Sequence, residues 1–182
     1  YWQRSAYNDA KQQAELAYWK QQLAGIPALH SLPLDYARPS MKQYEGATVT
    51  GTLSQSQTAG IAALASRHQM TPFMLVHALL SLVLARHSGS HDIVIGTPVA
   101  NRLQSELAPL IGSFVNTLVL RANTDHASMD SYLAHIRQIH LDAQGNQELP
   151  FEQVVEHCQV GRSTAHSPLF QILLSTNNTG QA

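Results

Sequence analysis

The sequence predicts an α/β fold in which helices pack against a mixed β-sheet. Short, continuous apolar runs occur at residues 93–95, within the predicted strand 92–96, and at 118–120. Such runs are typical of strands that are covered on both faces. Longer segments with a helical spacing of apolar residues precede, separate and follow these runs. Chains in which strands alternate with long helices form layered domains with the helices on the sheet.

The N-terminal part of the chain predicts a helix followed by an extended connector. Residues 1–24 have a helical rhythm in which Leu16, Trp19 and Leu23 share one face. Residues 25–46 are interrupted by prolines and glycines and have little periodicity. We expect this second stretch to run extended over a surface of the domain.

Capping patterns indicate where the next two helices begin. Ser54 is a predicted N-cap, and Gln57 completes a capping box with it. The inner face of this helix is predicted to contain Ile61, Leu64, Ala65 and His68. Thr71-Pro72 begins the second helix, because a proline at the first helical position gives up no hydrogen bond. Residues 73–86 of that helix are apolar on most faces, so we expect a buried helix at the centre of the core.

The remaining elements follow from shorter signals. Strands are predicted at 48–53, 92–96, 118–120 and 168–174. A short helix is predicted at 107–111, a longer one from Ser128 to Gly145, and another from Pro150. The inner face of the long helix is predicted at Tyr132, Leu133, Ile136, Ile139 and Ala143. That of the last helix is predicted at Phe151, Val154, Val155 and Cys158.

Composition excludes several classes of protein. The 182 residues are 44% hydrophobic and only 13% charged, with a formal net charge of −1. This low charge argues against a disordered tail or a coiled coil and indicates that part of the surface is normally covered. The chain has neither the basic stripe of a nucleic-acid binder nor an apolar run of about 18 residues that would span a membrane. Because the chain begins at Tyr1 with no signal-peptide pattern, we expect a cytoplasmic piece of a longer protein.

The residue types that usually carry chemistry do not form a complete catalytic set. There are ten histidines, but His135 and His140 are five residues apart and fall on different faces of a helix. No cluster has metal-ligand spacing. The single cysteine, Cys158, excludes a disulfide scaffold and lies on an inner helix face, where a thiol is usually inert. A nucleophile elbow and a glycine-rich phosphate loop are both missing. The sequence therefore predicts no catalytic residue and no metal site in this chain.

Three blocks nevertheless match one known family in order and spacing. Residues 111–121, IGSFVNTLVLR, fit the pattern IGxFVNTxxxR of condensation domains in non-ribosomal peptide synthetases. Residues 146–152, NQELPFE, are similar to the family block NQDYPFE, with Glu for Asp and Leu for Tyr. Residues 162–169, RSTAHSPL, resemble the block RDxSRNPL. Shorter family-like stretches lie at 2–4, 32–39 and 92–102, so the resemblance covers essentially the whole chain.

The catalytic block of that family, His-His-x-x-x-Asp-Gly, does not occur in this chain. In the family it lies before the stretch that this chain covers. Residues 126–130, HASMD, imitate it but follow the IGSFVNT strand, with Asp125 and Ser131 at the positions of the first His and the Gly. A helix start explains them better, with Ser128 as N-cap and Asp130 in the first turn.

The resemblance implies a chloramphenicol-acetyltransferase-like pseudodimer of two lobes, with the active site in the tunnel between them. This chain would be the C-terminal lobe of a condensation domain. We expect an N-terminal helix and connector at 1–46, an α/β core at 47–175 and the start of a linker at 176–182.

The resemblance also implies the reaction, an acyl transfer that forms an amide bond. The family joins an upstream acyl or peptidyl thioester to the amine of a downstream aminoacyl thioester. Expected partners are the missing N-terminal lobe, the upstream and downstream carrier domains and a neighbouring adenylation domain. No cofactor is expected to bind directly, because the substrates arrive on the phosphopantetheine of the carriers. The isolated lobe should be inactive, since the catalytic histidine would lie on the absent lobe.

Candidate site residues come from the matched blocks. The substrate-tunnel candidates are Ser113, Phe114 and Asn116. Asn116 has two interpretations: a hydrogen-bonding group at the tunnel wall, or a strand-start amide that satisfies backbone groups. The supporting candidates are Gly112, Arg102, Arg121, Pro150, Phe151, Glu152 and Arg162. Among these, a structural ion pair is favoured for Arg121 and for Arg162, and a core position for Phe151.

Two other functions remain open at this stage. The chain could be a carrier-docking or scaffold lobe without turnover, or it could come from an epimerisation or cyclisation relative. The IGSFVNT block favours condensation, because epimerisation relatives have a different block at that place. An intact catalytic block upstream of Tyr1 would distinguish a catalytic domain from a scaffold.

Overall fold

A computed structural model describes residues 9–158, 161 and 163–177. In these residues the helices and strands, in chain order, are α1 Asp9–Gln22, α2 Gln55–Arg67, α3 Pro72–Ser88, β1 Asp92–Val99, β2 Asn116–Asn123, α4 Met129–Gly145 and α5 Phe151–His157. A 3₁₀ turn, Ser105–Leu107, lies between the two strands. The family-like residues 2–4, the candidate Arg162 and the predicted linker residues 178–182 lie outside the described residues.

The sheet is mixed and small. Strands β1 and β2 are antiparallel, with Asp92 opposite Asn123 and Val99 opposite Asn116. The other edge of β1 pairs at Gly96 with residues 172–174. The Gly96 N–H donates to the Ile172 carbonyl at 2.9 Å, and the Gly96 carbonyl accepts the Leu174 N–H at 2.9 Å. These two bonds form a parallel bridge. The predicted combination of helices with a mixed sheet is thus confirmed.

Two of the predicted strands are not formed, and those predictions were wrong. In 168–174 the bridge opposite Gly96 is the only ladder contact, because Leu169 has a left-handed φ of 66° that breaks the extended run. Residues 48–53 form no regular element, and the Val49 side chain is 98% exposed. Threonine and valine favour strands only where a neighbouring strand or a packed face is available. No described strand lies beside this segment.

The predicted helix starts are confirmed. Ser54 accepts the Gln57 N–H at 3.2 Å and completes the capping box that opens α2. Thr71 caps α3, which ends at Ser88, two residues beyond its predicted end, with the left-handed Gly89 as C-cap. Ser128 opens α4 through a capping box with Ser131.

The helix predicted at 107–111 was wrong. The chain forms a 3₁₀ turn at Ser105–Leu107 instead, and the Ile111 side chain is fully exposed. Pro109 keeps the turn at Ser105–Leu107 from extending as an α-helix, because it has no N–H to donate to the Ser105 carbonyl.

The main core lies between the sheet and the inner faces of α1, α3, α4 and α5. The predicted inner faces of α1 and α4 are confirmed, and Trp19, Leu133 and Ile136 are among the most deeply buried side chains. The prediction that α3 is buried on most faces was wrong: Leu79 is 40% and Val83 54% exposed. Of the residues predicted to face inward from α2 and α5, only Ala65 and Val154 are fully buried.

Candidate functional site

The residues of the matched blocks meet at one open cavity of about 610 Å³. One wall is the stretch before and at the start of β2, which contributes Ser113, Phe114 and Asn116. The facing wall is the start of α5, with Pro150, Phe151 and Glu152. Six of the ten candidate residues therefore line a single cavity, although the two walls are more than thirty residues apart in sequence. Of the other described candidates, Gly112, Arg102 and Arg121 do not line it, and Arg162 lies outside the described residues.

Asn116, at the start of β2, bonds to three backbone groups of the facing wall. Its amide nitrogen donates to the carbonyls of Gln147 and Leu149, each at 2.8 Å. Its side-chain oxygen accepts the Phe151 N–H at 3.0 Å. Both amide hydrogens are therefore engaged, and the geometry favours the strand-start interpretation, in which this amide satisfies backbone groups. Its contribution to a substrate tunnel stays a prediction.

The Phe114 ring is held in place by its own loop. The Arg102 guanidinium lies over the ring, 4.2 Å from its centroid, and the same side chain donates to the Leu107 carbonyl. A Cβ added at Gly112 would lie 3.1 Å from a Phe114 ring carbon, so the ring packs closely on this glycine. Arg102 and Gly112 thus both contact the Phe114 ring, and their supporting roles stay a prediction. Ser113 is exposed at the cavity.

Helix α1 packs on the facing wall and supplies polar contacts that the sequence analysis missed. The Trp19 indole N–H donates to the Asn146 carbonyl at 2.9 Å, and the buried Glu15 carboxylate accepts the Leu149 N–H at 2.7 Å. Lys11 forms an ion pair with Glu148. The signal for Glu15 was available, since it lies one turn before Trp19 on the predicted inner face.

Arg121 forms the structural ion pair that was favoured for it. Its guanidinium makes two parallel hydrogen bonds to the Asp92 carboxylate, at 2.8 and 2.9 Å. It also donates to the carbonyls of Gln22, the last residue of α1, and Ala24, just beyond it. The hydrogen bonds to Asp92 raise the pKa of the guanidinium. The side chain links β1, β2 and the end of α1, away from the cavity.

The imitation of the catalytic block is a helix start. Ser128 accepts the Ser131 N–H at 3.1 Å, and the exposed Asp130 lies in the first turn, 3.8 Å from His68. His126 packs against the ring of His135 instead, with ring centroids 4.7 Å apart. These residues do not line the cavity.

The sequence analysis also missed a buried pair of histidines. His77 of α3 and His140 of α4 are almost inaccessible, with 3.0 Å between His77 Nδ1 and His140 Nε2. Burial lowers the pKa of His77 to about 3, with a further contribution from His140, and lowers that of His140 to about 4. Two neutral rings are thus hydrogen-bonded inside the core, and neither lines the cavity.

Neither a metal site nor a single membrane-spanning helix is found in the part of the chain that the structure describes. No three histidine, cysteine, aspartate or glutamate side chains there could hold a metal ion together. No single helix is long and apolar enough to cross a membrane. Only the pair α2 and α3, bent by 102°, reaches that length and composition together.

Comparison with known proteins identifies the family. The family model of the condensation domain matches residues 1–182. The malpibaldin synthetase of Mortierella alpina is 42% identical over 178 residues, which is 97% of this chain and 3% of that protein. A solved four-domain non-ribosomal peptide synthetase bound to AMP and glycine superposes with a TM-score of 0.88 at 31% identity. That match covers 91% of this chain and 13% of the solved chain.

A solved chain that contains a condensation domain shows how much of such a chain the 182 residues cover. The condensation domain of the monacolin K polyketide synthase MokA has the same fold, with a TM-score of 0.70 at 21% identity. It matches 94% of this chain, which covers 42% of the MokA domain chain. This chain therefore spans less than half the length of that chain and a small part of the multidomain synthetases.

The chain belongs to the condensation domain family of non-ribosomal peptide synthetases. The resemblance inferred from the three blocks is confirmed, and so is the α/β fold class with the chloramphenicol-acetyltransferase-like architecture of that family. Domains of this family are acyltransferases of multidomain synthetases that make secondary metabolites.

Proposed function

We propose that this chain is the C-terminal lobe of a condensation domain that forms an amide bond between two carrier-bound substrates. The observation that carries the proposal is the cavity in which the family blocks IGSFVNT and NQELPFE face each other. The 42% coverage of the MokA condensation domain chain supports assignment to one lobe. We retain the division into a helix and connector at 1–46, a core at 47–175 and a linker from 176.

The proposed reaction is an aminolysis of a thioester. The neutral amine of the downstream aminoacyl thioester attacks the carbonyl carbon of the upstream acyl or peptidyl thioester. A C–N bond forms, and a tetrahedral oxyanion results. The C–S bond then breaks, the thiol remains on the upstream carrier, and the proton lost by the nitrogen balances the thiolate that leaves. Such a reaction needs an oriented amine and stabilisation of the oxyanion.

This lobe would supply a wall of the reaction tunnel rather than the catalytic group. The residues that line the cavity in the described part of the chain include no histidine. A histidine of the His-His-x-x-x-Asp-Gly block on the preceding lobe would therefore position or deprotonate the amine. Ser113 and Phe114 would contact the substrate arms, and Asn116 would hold the facing wall.

An exposed apolar loop supports a partner lobe. Leu103 and Leu110 are about half exposed, Val115 is 66% exposed and Ile111 fully exposed. Adjoining apolar side chains of this kind usually mark a surface that another chain segment covers. We propose the N-terminal lobe of the same domain as that cover. Upstream and downstream carriers and an adenylation domain would be the other partners. Substrates would arrive on phosphopantetheine in the cytoplasm, with no cofactor bound by this lobe.

The proposal is tested by comparing the product formed by the complete condensation domain with that formed by this chain alone. The complete condensation domain and the 182-residue chain alone are each mixed with two loaded carriers, and the carriers are analysed by mass spectrometry. We expect a dipeptidyl thioester with the complete domain and background levels with the lobe. The matched control replaces the second histidine of the catalytic block by alanine. Turnover by the lobe alone would overturn the proposal, and no turnover by the complete domain would favour the scaffold alternative.

A further inference from the structure

One turn of the backbone is bonded at its two ends to the neighbouring helices and is held between those ends by side chains from two other elements. In residues 146–151, called here the wall turn, the Asn146 carbonyl accepts from Trp19, and the carbonyls of Gln147 and Leu149 accept from Asn116. The remaining two bonds run from the Leu149 N–H to Glu15 and from the Phe151 N–H to Asn116. All five bonds are 2.7 to 3.0 Å long.

The wall turn depends on these side chains because it has little support of its own. Gln147, Glu148 and Leu149 belong to no helix or strand, and Pro150 has no N–H to donate. Leu149 is only 2% exposed, so solvent cannot replace a lost partner of its N–H or carbonyl. A buried backbone group without a partner is costly, so the turn would move if Glu15 or Asn116 were removed.

Burial of the Glu15 carboxyl is energetically unfavourable, which argues that its hydrogen bond to the Leu149 N–H has a role. It belongs to α1 and is only 3% exposed, and burial raises the pKa of its carboxyl. A carboxylate loses favourable hydration when it is buried, whereas an apolar side chain at the same place would not. The bond to the Leu149 N–H offsets part of that cost.

Movement of the wall turn would reach the cavity directly. Glu148, Pro150, Phe151, Glu152 and Gln153 all line it, opposite Ser113 and Phe114. We propose that Glu15 is a positioning residue, which acts with Asn116 to fix the wall turn and so sets the width of the substrate cavity. Glu15 itself does not line the cavity, so it acts through Leu149 and Pro150. This inference rests on the proposed function, because it assumes that carrier-bound substrates enter that cavity.

The test compares four variants of the complete condensation domain: Glu15→Ala, Glu15→Gln, Asn116→Ala and the double alanine variant. We expect Glu15→Ala to raise KM for a carrier thioester by about tenfold, the value of one hydrogen bond of ordinary strength, with a smaller change in kcat. Glu15→Gln should restore most of the wild-type KM, since its carbonyl oxygen can accept the same N–H. The double variant should be much less impaired than the product of the single effects, because both residues hold one turn.

Amide hydrogen exchange supplies a readout that needs no turnover. Glu15→Ala should accelerate exchange at Leu149 and Phe151 by about tenfold, while Glu45→Ala, which removes an exposed carboxylate, should not. If Glu15→Ala fails to fold, Glu15→Asp keeps the charge but is one methylene shorter, and it should change both readouts in the same direction. Wild-type KM and exchange in the variant that folds, or independent effects in the double variant, would overturn the inference. Loss of all turnover in the wild-type domain would refute the proposed function alone, since the exchange result stands apart from it.

Discussion

Asn116 and Phe151 are 35 residues apart in sequence, and the Phe151 backbone N–H donates to the Asn116 side-chain oxygen at 3.0 Å. The bond joins the start of β2 to the first residue of α5. It explains why the two family blocks form one structural unit: the asparagine of the first block is the hydrogen-bonding partner of the second. The cavity lies between the residues that this bond holds together.

The first prediction concerns Asn116→Ala. The substitution removes three hydrogen bonds and leaves backbone groups of the wall turn, among them the carbonyl of the buried Leu149, without these partners. We expect the free energy of unfolding to fall by about 2 to 4 kcal/mol. Condensation should slow by roughly 10- to 100-fold, because the cavity wall is no longer fixed. Urea denaturation and product formation, measured on the same complete domain, check both values.

Asn116→Asp and Asn123→Ala are the informative comparisons. Aspartate keeps an acceptor for the Phe151 N–H but points a carboxylate oxygen at two carbonyls, so it should destabilise the domain at least as much as alanine. Asn123 ends the same strand and accepts only the Asp125 N–H through its side chain, so Asn123→Ala should have little effect on rate. A slow Asn116→Ala variant of unchanged stability would instead show that the amide acts on substrate.

For Arg121 we expect a substitution to lower stability without changing the reaction rate. Arg121→Lys loses the two parallel bonds to Asp92 and cannot also reach both Gln22 and Ala24. We expect a loss of about 1 to 2 kcal/mol in the free energy of unfolding, with kcat/KM unchanged because Arg121 does not line the cavity. The pair is partly exposed, so the loss should shrink as salt concentration rises. A drop in kcat/KM at unchanged stability would argue for substrate contact.

The local signals in the sequence predicted the helices well, and long-range contacts explain the misses. The cap at Ser54 and the inner face of α4 depend on residues three or four apart, which are visible in the sequence. Whether 48–53 becomes a strand depends on a partner strand, and whether α3 is buried on most faces depends on the elements that pack against it. The spacing of residues within one segment contains neither kind of information.

The same distinction applies to the candidate site. The matched blocks identified both walls of the cavity, since each block is contiguous. The bond between Glu15 and Leu149 joins residues 134 apart, and the contact between His77 and His140 joins residues 63 apart. In both contacts a polar residue lies on an apolar helix face. The sequence shows that such a residue breaks the apolar pattern, but it does not show which distant residue it contacts.

Gly96→Ala tests the packing at the edge of β1. A Cβ at Gly96 would overlap the Phe170 ring, so the ring must move. We expect a loss of about 1 to 3 kcal/mol in the free energy of unfolding, the usual cost of overpacking. In the background of Phe170→Ala the same substitution should cost much less, which a double-mutant cycle would measure. Gly145→Ala is the matched control, because nothing lies within 4 Å of its added Cβ and it should not destabilise the helix.

The buried histidine pair predicts how stability depends on pH. Burial holds the pKa of His77 at about 3 and that of His140 at about 4, whereas both are near 6.5 in an unfolded chain. Between pH 6.5 and about 4 the unfolded chain therefore binds protons that the folded chain does not bind. The contribution of the pair to the free energy of unfolding is therefore fully present above pH 6.5 and is lost as pH falls through this window. Each histidine contributes up to about 1.4 kcal/mol per pH unit.

Variants of the pair separate this effect from general acid unfolding. His77→Leu removes one of the two groups, so the slope of the free energy of unfolding between pH 6.5 and 5 should fall by about half. Urea denaturation of the complete domain at several pH values measures the slopes. Equal slopes for wild type and His77→Leu would mean that His77 takes up a proton alike in the folded and unfolded chain, because such a group cannot change stability with pH.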